Sequence, residues 1–397
     1  MERHLSIQVG QKYLFGLGLI RLKYQAKSIR HNMKADFNSS KIDEQKLSEF
    51  MLKAMQDITS TLSAMLIIIG NRLQLYKTMA ELGQPLTSEE LAEATNTNER
   101  LIREWLANQV AGGYITYDST NKKYSLPPEQ AMALADEDSP VYIQGAYQAI
   151  RSYFKDEDKF VEMFKSGKGL KWGDHHNDLF EGSALFFKPN YVGNLVSSWI
   201  PSLDGVEEKL KKGAKVADIG CGYGISTIIM ARTYPNSKFY GFDNHGPSIE
   251  KAKDLLRNEV ETSRVTINNV EFVTVSANDK SIGNDYDLIT FFDCLHDMGD
   301  PLGALKFALQ SLKSDGTCMI VEPMANENLE DNLNLIGRSF YAASTLVCVP
   351  NSLAENGPAL GAQAGEKKIS EIVKTAGFSR FRRATQTPFN LVYEAKP

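Results

Sequence analysis

Apolar residues recur at three- and four-residue spacing from Glu44 onward: Leu47, Phe50, Ala54, Ile58, Leu62 and Met65 fall on one helical stripe. Polar residues fill the gaps at first. By the run LSAMLIII most faces are apolar, and such a helix needs more than one partner to cover it. The pattern predicts an inter-subunit or inter-domain helix. Its longest unbroken apolar stretch, near residues 66–70, is too short to span a bilayer, so no membrane contact is expected.

The next segment, NRLQLYKTMAELG, reads as a helix closed by Gly83. TSEELAEAT opens with Thr87 and has Glu90 three residues on, the pattern of a capping box. NTNERLIREWLANQVAGGY repeats the device, with Asn96 before Glu99. YITY, the turn DSTNKK and KYSL then form a hairpin. Three helices and a hairpin predict a winged helix-turn-helix. Its third helix, about 98–110, would face DNA in a DNA-binding module. Arg100 and Arg103 are offset there by Glu99 and Glu104, whereas a phosphate-binding face should be clearly basic. A dimerisation or substrate-lid role is favoured over DNA binding.

Residues 140–203 look helical and rich in aromatic side chains, interrupted by KWGDHHNDLFEG. That loop gathers Trp172, Asp174, His175, His176 and Asp178, and loops on a scaffold often carry function. His175 and His176 are candidate substrate contacts. Adjacent side chains on extended chain point opposite ways, so no shared metal is expected.

From Gly213 short β-type runs alternate with helices: AKVADIG, KFYGFD, VEFVTVS, YDLITFFD and GTCMIVEP. Such alternation predicts a parallel sheet covered on both faces, with ligands outside the carboxyl ends of its strands. The first strand ends in DIGCGYG, placing Asp218 before Gly220, Gly222 and Gly224. Position 225 is Ile, so the dinucleotide pattern GxGxxG is absent. An acid here would repel a pyrophosphate but suits the ammonium group of an amino acid. The second strand ends at Asp243, where an acid can accept both hydroxyls of a ribose. An amino-acid head and a ribose together indicate S-adenosylmethionine (SAM).

These residues resemble the class I methyltransferases from about Gly205 to the C-terminus. The resemblance implies a Rossmann-like, seven-stranded α/β sheet. It also implies adenine binding after the third strand, by Ser276, Ala277 and Asn278 here, with Asp279 following. Asp293, closing the fourth strand, joins the cofactor set.

Methyl transfer to a hydroxyl requires loss of a proton, and histidine is the usual acceptor at neutral pH. The stretch FFDCLHDM is similar to the WVLHDW-type segment of plant small-molecule O-methyltransferases. That resemblance assigns His296 as general base and Glu322 of MIVEP as the acid that steers it. A second family acid has no clear match; GAQAGEKK offers Gln363 or Glu366. DLFEG, DCLHDMGDP, MIVEPMAN and the stretch before the last long helix also resemble a winged-helix methyltransferase family known mainly from mycobacteria. Membership implies SAM binding, a two-domain subunit and a homodimer. About forty residues intervene between Pro323 and Glu366. Phe340, Tyr341 and Cys348 are candidates there for a substrate-cavity wall.

The expected organisation is an N-terminal extension (1–42), a winged-helix domain (43–130), a helical connector (131–204) and a methyltransferase domain (205–397). Net charge is −5 and the pI about 5.8, which argues against a general polyanion binder. Four cysteines without CxxC spacing favour a reducing compartment, the cytoplasm. The first forty residues carry Arg3, Lys12, Arg21, Lys23, Lys27, Arg30 and Lys34 with few acids, a composition open to a mitochondrial presequence in a eukaryote. The expected activity is transfer of a methyl group to a small molecule, O-methylation before N-methylation. Its competitor is a SAM-responsive winged-helix DNA-binding regulator. An NAD-linked oxidoreductase is disfavoured by Asp218 and Ile225.

Overall fold

The computed structural model describes residues 42–263 and 266–397. The basic N-terminal stretch and its targeting reading lie outside the described residues. The chain divides into two compact units between Ser60 and Thr61.

Helix α1 (Glu44–Arg72) crosses that division, and its apolar stripe is largely exposed: Phe50 is 64%, Ile58 53% and Leu62 67% accessible. By length and composition alone α1 is long and apolar enough to cross a bilayer, a test that helices of soluble proteins also pass. The residues interrupting its apolar run are largely uncharged, among them Thr59, Ser60, Thr61 and Ser63, so the average over 18 residues stays apolar.

Gln74, in the left-handed conformation, separates α1 from α2 (Leu75–Leu82), which Gly83 closes. Then come α3 (Ser88–Ala94), α4 (Glu99–Ala111) and the antiparallel pair β1 (Thr116–Asp118) and β2 (Lys123–Ser125). This is a winged helix, packed around Tyr76, Leu91, Trp105 and Leu106. Thr87 and Glu90 form the expected reciprocal cap. The second cap is shifted: Asn98, not Asn96, accepts the amide of Leu101. Asn96 instead turns through φ 49° to end the preceding helix, a conformation asparagine tolerates. Arg100 pairs with Glu104 at 2.7 Å and Arg103 with Glu99 at 3.2 Å, so α4 presents arginines already tied to carboxylates.

The connector comprises α5 (Pro128–Leu134), α6 (Gln144–Lys155), α7 (Glu157–Ser166) and α8 (Asp178–Asn190), which continues as a π-helix through Tyr191–Trp199. After α9 (Val206–Lys212) the sheet begins: β3 (Lys215–Ile219), α10 (Ile225–Thr233), β4 (Lys238–Asp243), α11 (Gly246–Ser263), β5 (Val270–Thr274) and β6 (Tyr286–Phe292). It continues with α12 (Pro301–Ser311), β7 (Leu312–Pro323), α13 (Leu335–Ala343), α14 (Val349–Ala354), α15 (Gly365–Ala376), β8 (Arg380–Gln386) and β9 (Asn390–Lys396). Strand order is β5-β4-β3-β6-β7-β9-β8. The first five strands are parallel, and β9 runs antiparallel to both neighbours.

This is the seven-stranded α/β sheet with a winged-helix domain that the sequence predicts. Alternate residues of β6 feed opposite cores. Leu288 and Phe292 pack with Trp199, Met319 and Val392, while Ile289 and Phe291 pack with Ile320 and Tyr393. Period-2 side chains thereby bury both faces of a central strand. The carboxyl ends of β3, β4, β6 and β7 share one edge, and the inserted α13 and α14 follow β7 there.

Candidate active site

The loop after β3 turns on three left-handed glycines, Gly220, Gly222 and Gly224. Two are fixed by close approach. A Cβ on Gly220 would meet Cys294 Sγ at 2.8 Å, and one on Gly224 would meet the Phe272 ring at 2.4 Å. A Cβ on Gly222 would meet nothing within 4 Å, so the loop presents bare backbone to open space.

Asp218 lies beneath this loop, fully buried. Its Oδ2 accepts from Ser226 Oγ (2.7 Å) and Thr227 Oγ1 (2.6 Å), and its Oδ1 from Thr290 Oγ1 (3.0 Å). Burial pushes its carboxyl up to about 6, against the pull of those hydroxyls. The sequence suggested a direct ammonium contact; three hydroxyls engage the side chain here, fastening α10 and β6 to the end of β3.

Asp243 accepts from the amides of Gly222 (2.9 Å) and His245 (2.8 Å), so the second strand end holds the glycine loop directly. A carboxylate has about four acceptor sites, and two remain for further donors. His245 packs against Phe180 of α8, with ring centroids 4.6 Å apart. Beyond β5, Ser276 and Asn278 are exposed and Ala277 is half-buried.

FFDCLHDMGDP leaves β6 at the same edge. His296 is buried between two partners: Nδ1 lies 2.6 Å from Glu322 Oε2, and Nε2 lies 3.3 Å from Cys348 Sγ. Burial pushes the imidazole down, but the Glu322 carboxylate and Cys348 outweigh it and hold it well above the usual histidine range. Asp293 takes φ 49° and accepts from Asn390 Nδ2 at 2.9 and 3.1 Å.

The insertion closes over this loop. Asn351 Nδ2 donates to Asp297 O (2.9 Å), Ser352 Oγ to Met298 O (2.8 Å) and Gly361 N–H to His296 O (3.2 Å). Asn351 Oδ1 also accepts from the Trp172 amide at 2.8 Å, binding the KWGDHH loop to the same place. Around it cluster Phe180, Val347, Tyr153, Trp172, Tyr223 and Leu346.

The other candidates lie apart from the imidazole. His175 is buried against Phe160; its Nδ1 is 3.6 Å from Asp156 Oδ2, neither ring nitrogen has a hydrogen bond, and burial pushes it down to about 4. His176 points outward, to Lys155 Nζ at 3.1 Å. Tyr341 is half-buried on α13. Gln363 donates to Met324 O and Glu366 pairs with Arg383, so neither supplies the second steering acid. Sequence reasoning missed Asn390 and Asn351, and gave Cys348 a wall position but no contact with His296. His245, two residues past Asp243, carried a positional signal that was overlooked.

The residues suit SAM: open glycine backbone, a strand-end carboxylate and, among the described residues, no lysine or arginine paired with Asp218 or Asp243. Two family models match the chain, one described as an Rv2258c-like winged HTH domain over residues 61–136 and one as a methyltransferase domain over 210–377. The chain belongs to the winged-helix, SAM-dependent methyltransferases.

Among curated relatives, this methyltransferase is 29% identical over 117 residues to malonyl-[acyl-carrier protein] O-methyltransferase of Acetivibrio thermocellus. That match spans 29% of the chain and only 37% of the relative. Myricetin 3-O-methyltransferase 3 of Solanum habrochaites is 23% identical, over 87% of this chain and 95% of its own. Human N-acetylserotonin methyltransferase, solved with SAM, shares the fold at a TM-score of 0.64 and 14% identity, covering 90% of this chain and 99% of that one.

Proposed function

We propose that this methyltransferase transfers a methyl group to a hydroxyl of a small, partly apolar molecule, with His296 as general base. The observation that carries the reading is the buried 2.6 Å contact between His296 Nδ1 and Glu322 Oε2. It fixes the ring with Nε2 turned toward the aromatic cluster, where Cys348 now meets it. SAM, when bound, supplies an activated methyl group on a sulfonium. The loop at Gly220, Gly222 and Gly224 holds its amino-acid end, Asp243 its ribose, and Ser276, Ala277 and Asn278 its adenine. Asp218 stiffens the loop from beneath, and Asp293 faces the cofactor from the end of β6. An acceptor hydroxyl takes the place of the Cys348 thiol beside Nε2. His296 removes its proton there while Glu322 stabilises the imidazolium that forms. Tyr153, Trp172, Phe180 and Val347 exclude water and select a partly apolar acceptor. The exposed stripe of α1 packs on a second copy of the chain.

An acceptor screen of metabolite extracts with labelled SAM supplies the substrate. His296→Ala then leaves SAM affinity unchanged by calorimetry and lowers turnover by about 10²–10⁴-fold. Turnover that persists at neutral and low pH overturns the base assignment.

A further inference from the structure

Five carboxyl groups meet at the ends of β3, β4, β6 and β7: Asp218, Asp243, Asp293, Asp297 and Glu322. Among the described residues no lysine or arginine pairs with any of them. Their partners are hydroxyls, amides and one imidazole, His296, whose charge is already committed to Glu322. The second oxygen of Glu322, Oε1, is buried with no hydrogen-bond partner. Asp218 and Glu322 are buried and Asp243, Asp293 and Asp297 half-buried, and a single imidazole is the cation among them; carboxyls so crowded favour holding protons or receiving a further cation.

Asp293 is the member built most deliberately. It sits between the strand that carries the glycine loop and the strand that carries Glu322. Its backbone is left-handed, φ 49°, a conformation uncommon for a non-glycine residue. Asn390 holds it there by donating to both carboxylate oxygens. Asn390 in turn accepts from Asn190, which accepts from Asn194 Nδ2 at 2.8 Å. The chain of amides thus runs from the connector helix to one carboxyl group. The ionisable groups around Asp293 are Glu322 on β7, His296 and Asp297 on its own loop, and Tyr191 on the π-helix, which also senses Asp218 of β3.

We propose that Asp293 distinguishes the charged cofactor from its neutral product: it carries a proton in the empty site, and gives it to solvent when the sulfonium of SAM arrives. The proposal rests on the SAM reading but not on the base role of His296. After transfer the sulfur is neutral, the ionised Asp293 loses its counter-charge, and reprotonation favours release of S-adenosylhomocysteine (SAH). Burial, reinforced by Glu322, pushes Asp293 up to about 8, so the protonated form dominates at neutral pH. Only the ionised form attracts a cation; SAM affinity therefore rises with pH through that range, and SAH affinity does not.

Calorimetry on the full chain at pH 6.5 and pH 9 tests this. SAM is expected to tighten about tenfold, and SAH less than about threefold. Near pH 7, paired titrations in phosphate and Tris should count about half to one proton released per SAM and none per SAH. Asp293→Asn keeps the shape and the Asn190 network but abolishes both effects. His296→Ala must retain the proton release; its loss there would assign the proton to the imidazole and overturn the proposal. Equal pH slopes for SAM and SAH also overturn it, a result readable on the unaltered protein should Asp293→Asn fail to fold. If neither ligand binds at any pH, the cofactor reading falls, and this proposal with it.

Discussion

At the scale of single residues, the site turns on where one proton sits. His296 is buried, which alone would favour the neutral ring. The Glu322 carboxylate 2.6 Å away and Cys348 on the other nitrogen reverse that preference. In the empty site the imidazole is therefore charged at neutral pH, and base catalysis needs Nε2 free. Turnover should rise with pH as that nitrogen deprotonates. Glu322→Gln keeps an acceptor beside Nδ1 but removes the charge. The rising limb of the pH–rate profile should move to lower pH, while the maximal rate drops about 10–100-fold. An unchanged profile would remove Glu322 from the mechanism. The same pair has a signature in stability. A histidine raised in the folded state stabilises it fully below about pH 6.5, and the contribution fades as pH rises through the folded value. Glu322→Gln should erase that acid-side advantage in urea titrations.

At the scale of elements, the catalytic loop is held by segments that arrive from elsewhere in the chain. Asn351 joins three of them, through the Trp172 amide, its own α14 and the Asp297 carbonyl. Asn351→Ala leaves two part-buried backbone groups without this partner. It should lower stability by about 1–3 kcal/mol in urea unfolding and raise KM for the acceptor, with SAM affinity unchanged. An unchanged KM would mean that α14 is packing alone. The elements themselves were legible in the sequence, because period-2 and period-3.6 patterns and the glycine loop are local signals. So was the His296–Glu322 pair, though through resemblance rather than spacing. The Asn96 cap failed because two asparagines lie two residues apart and only backbone torsion chooses between them. The contacts of His296 with Cys348 and of Asp293 with Asn390 bridge 52 and 97 residues. They arise where an insertion and an antiparallel edge strand return to the sheet, and no local pattern encodes them. The partners of Asp218 were hidden for a related reason: Ser226, Thr227 and Thr290 read as ordinary helix and strand positions.

At the scale of the whole molecule, the open question is what covers α1. The helix is 29 residues long, about 43 Å at 1.5 Å per residue, and keeps Phe50, Met55, Ile58, Leu62 and Met65 exposed. A bilayer and a second copy would both remove that surface from water, and the charges separate the two. Glu44, Lys46, Glu49, Lys53 and Asp57 lie along the first half, with Lys53 and Asp57 paired at 2.7 Å. A spanning segment of 18 residues would carry at most two of them into hydrocarbon, at a cost that reaches about 2.5–3.5 kcal/mol each at the bilayer centre. In a helix pair they remain on wet flanks while the stripe is buried, which is how charged and apolar positions divide in coiled coils. The protein should therefore sediment as a dimer, with a Tm that rises with protein concentration. Introducing Phe50→Glu, Ile58→Glu and Leu62→Glu together should yield a folded monomer whose Tm no longer depends on concentration. Co-flotation of the unaltered chain with neutral phosphatidylcholine vesicles, without dimer in solution, would assign the stripe to lipid instead.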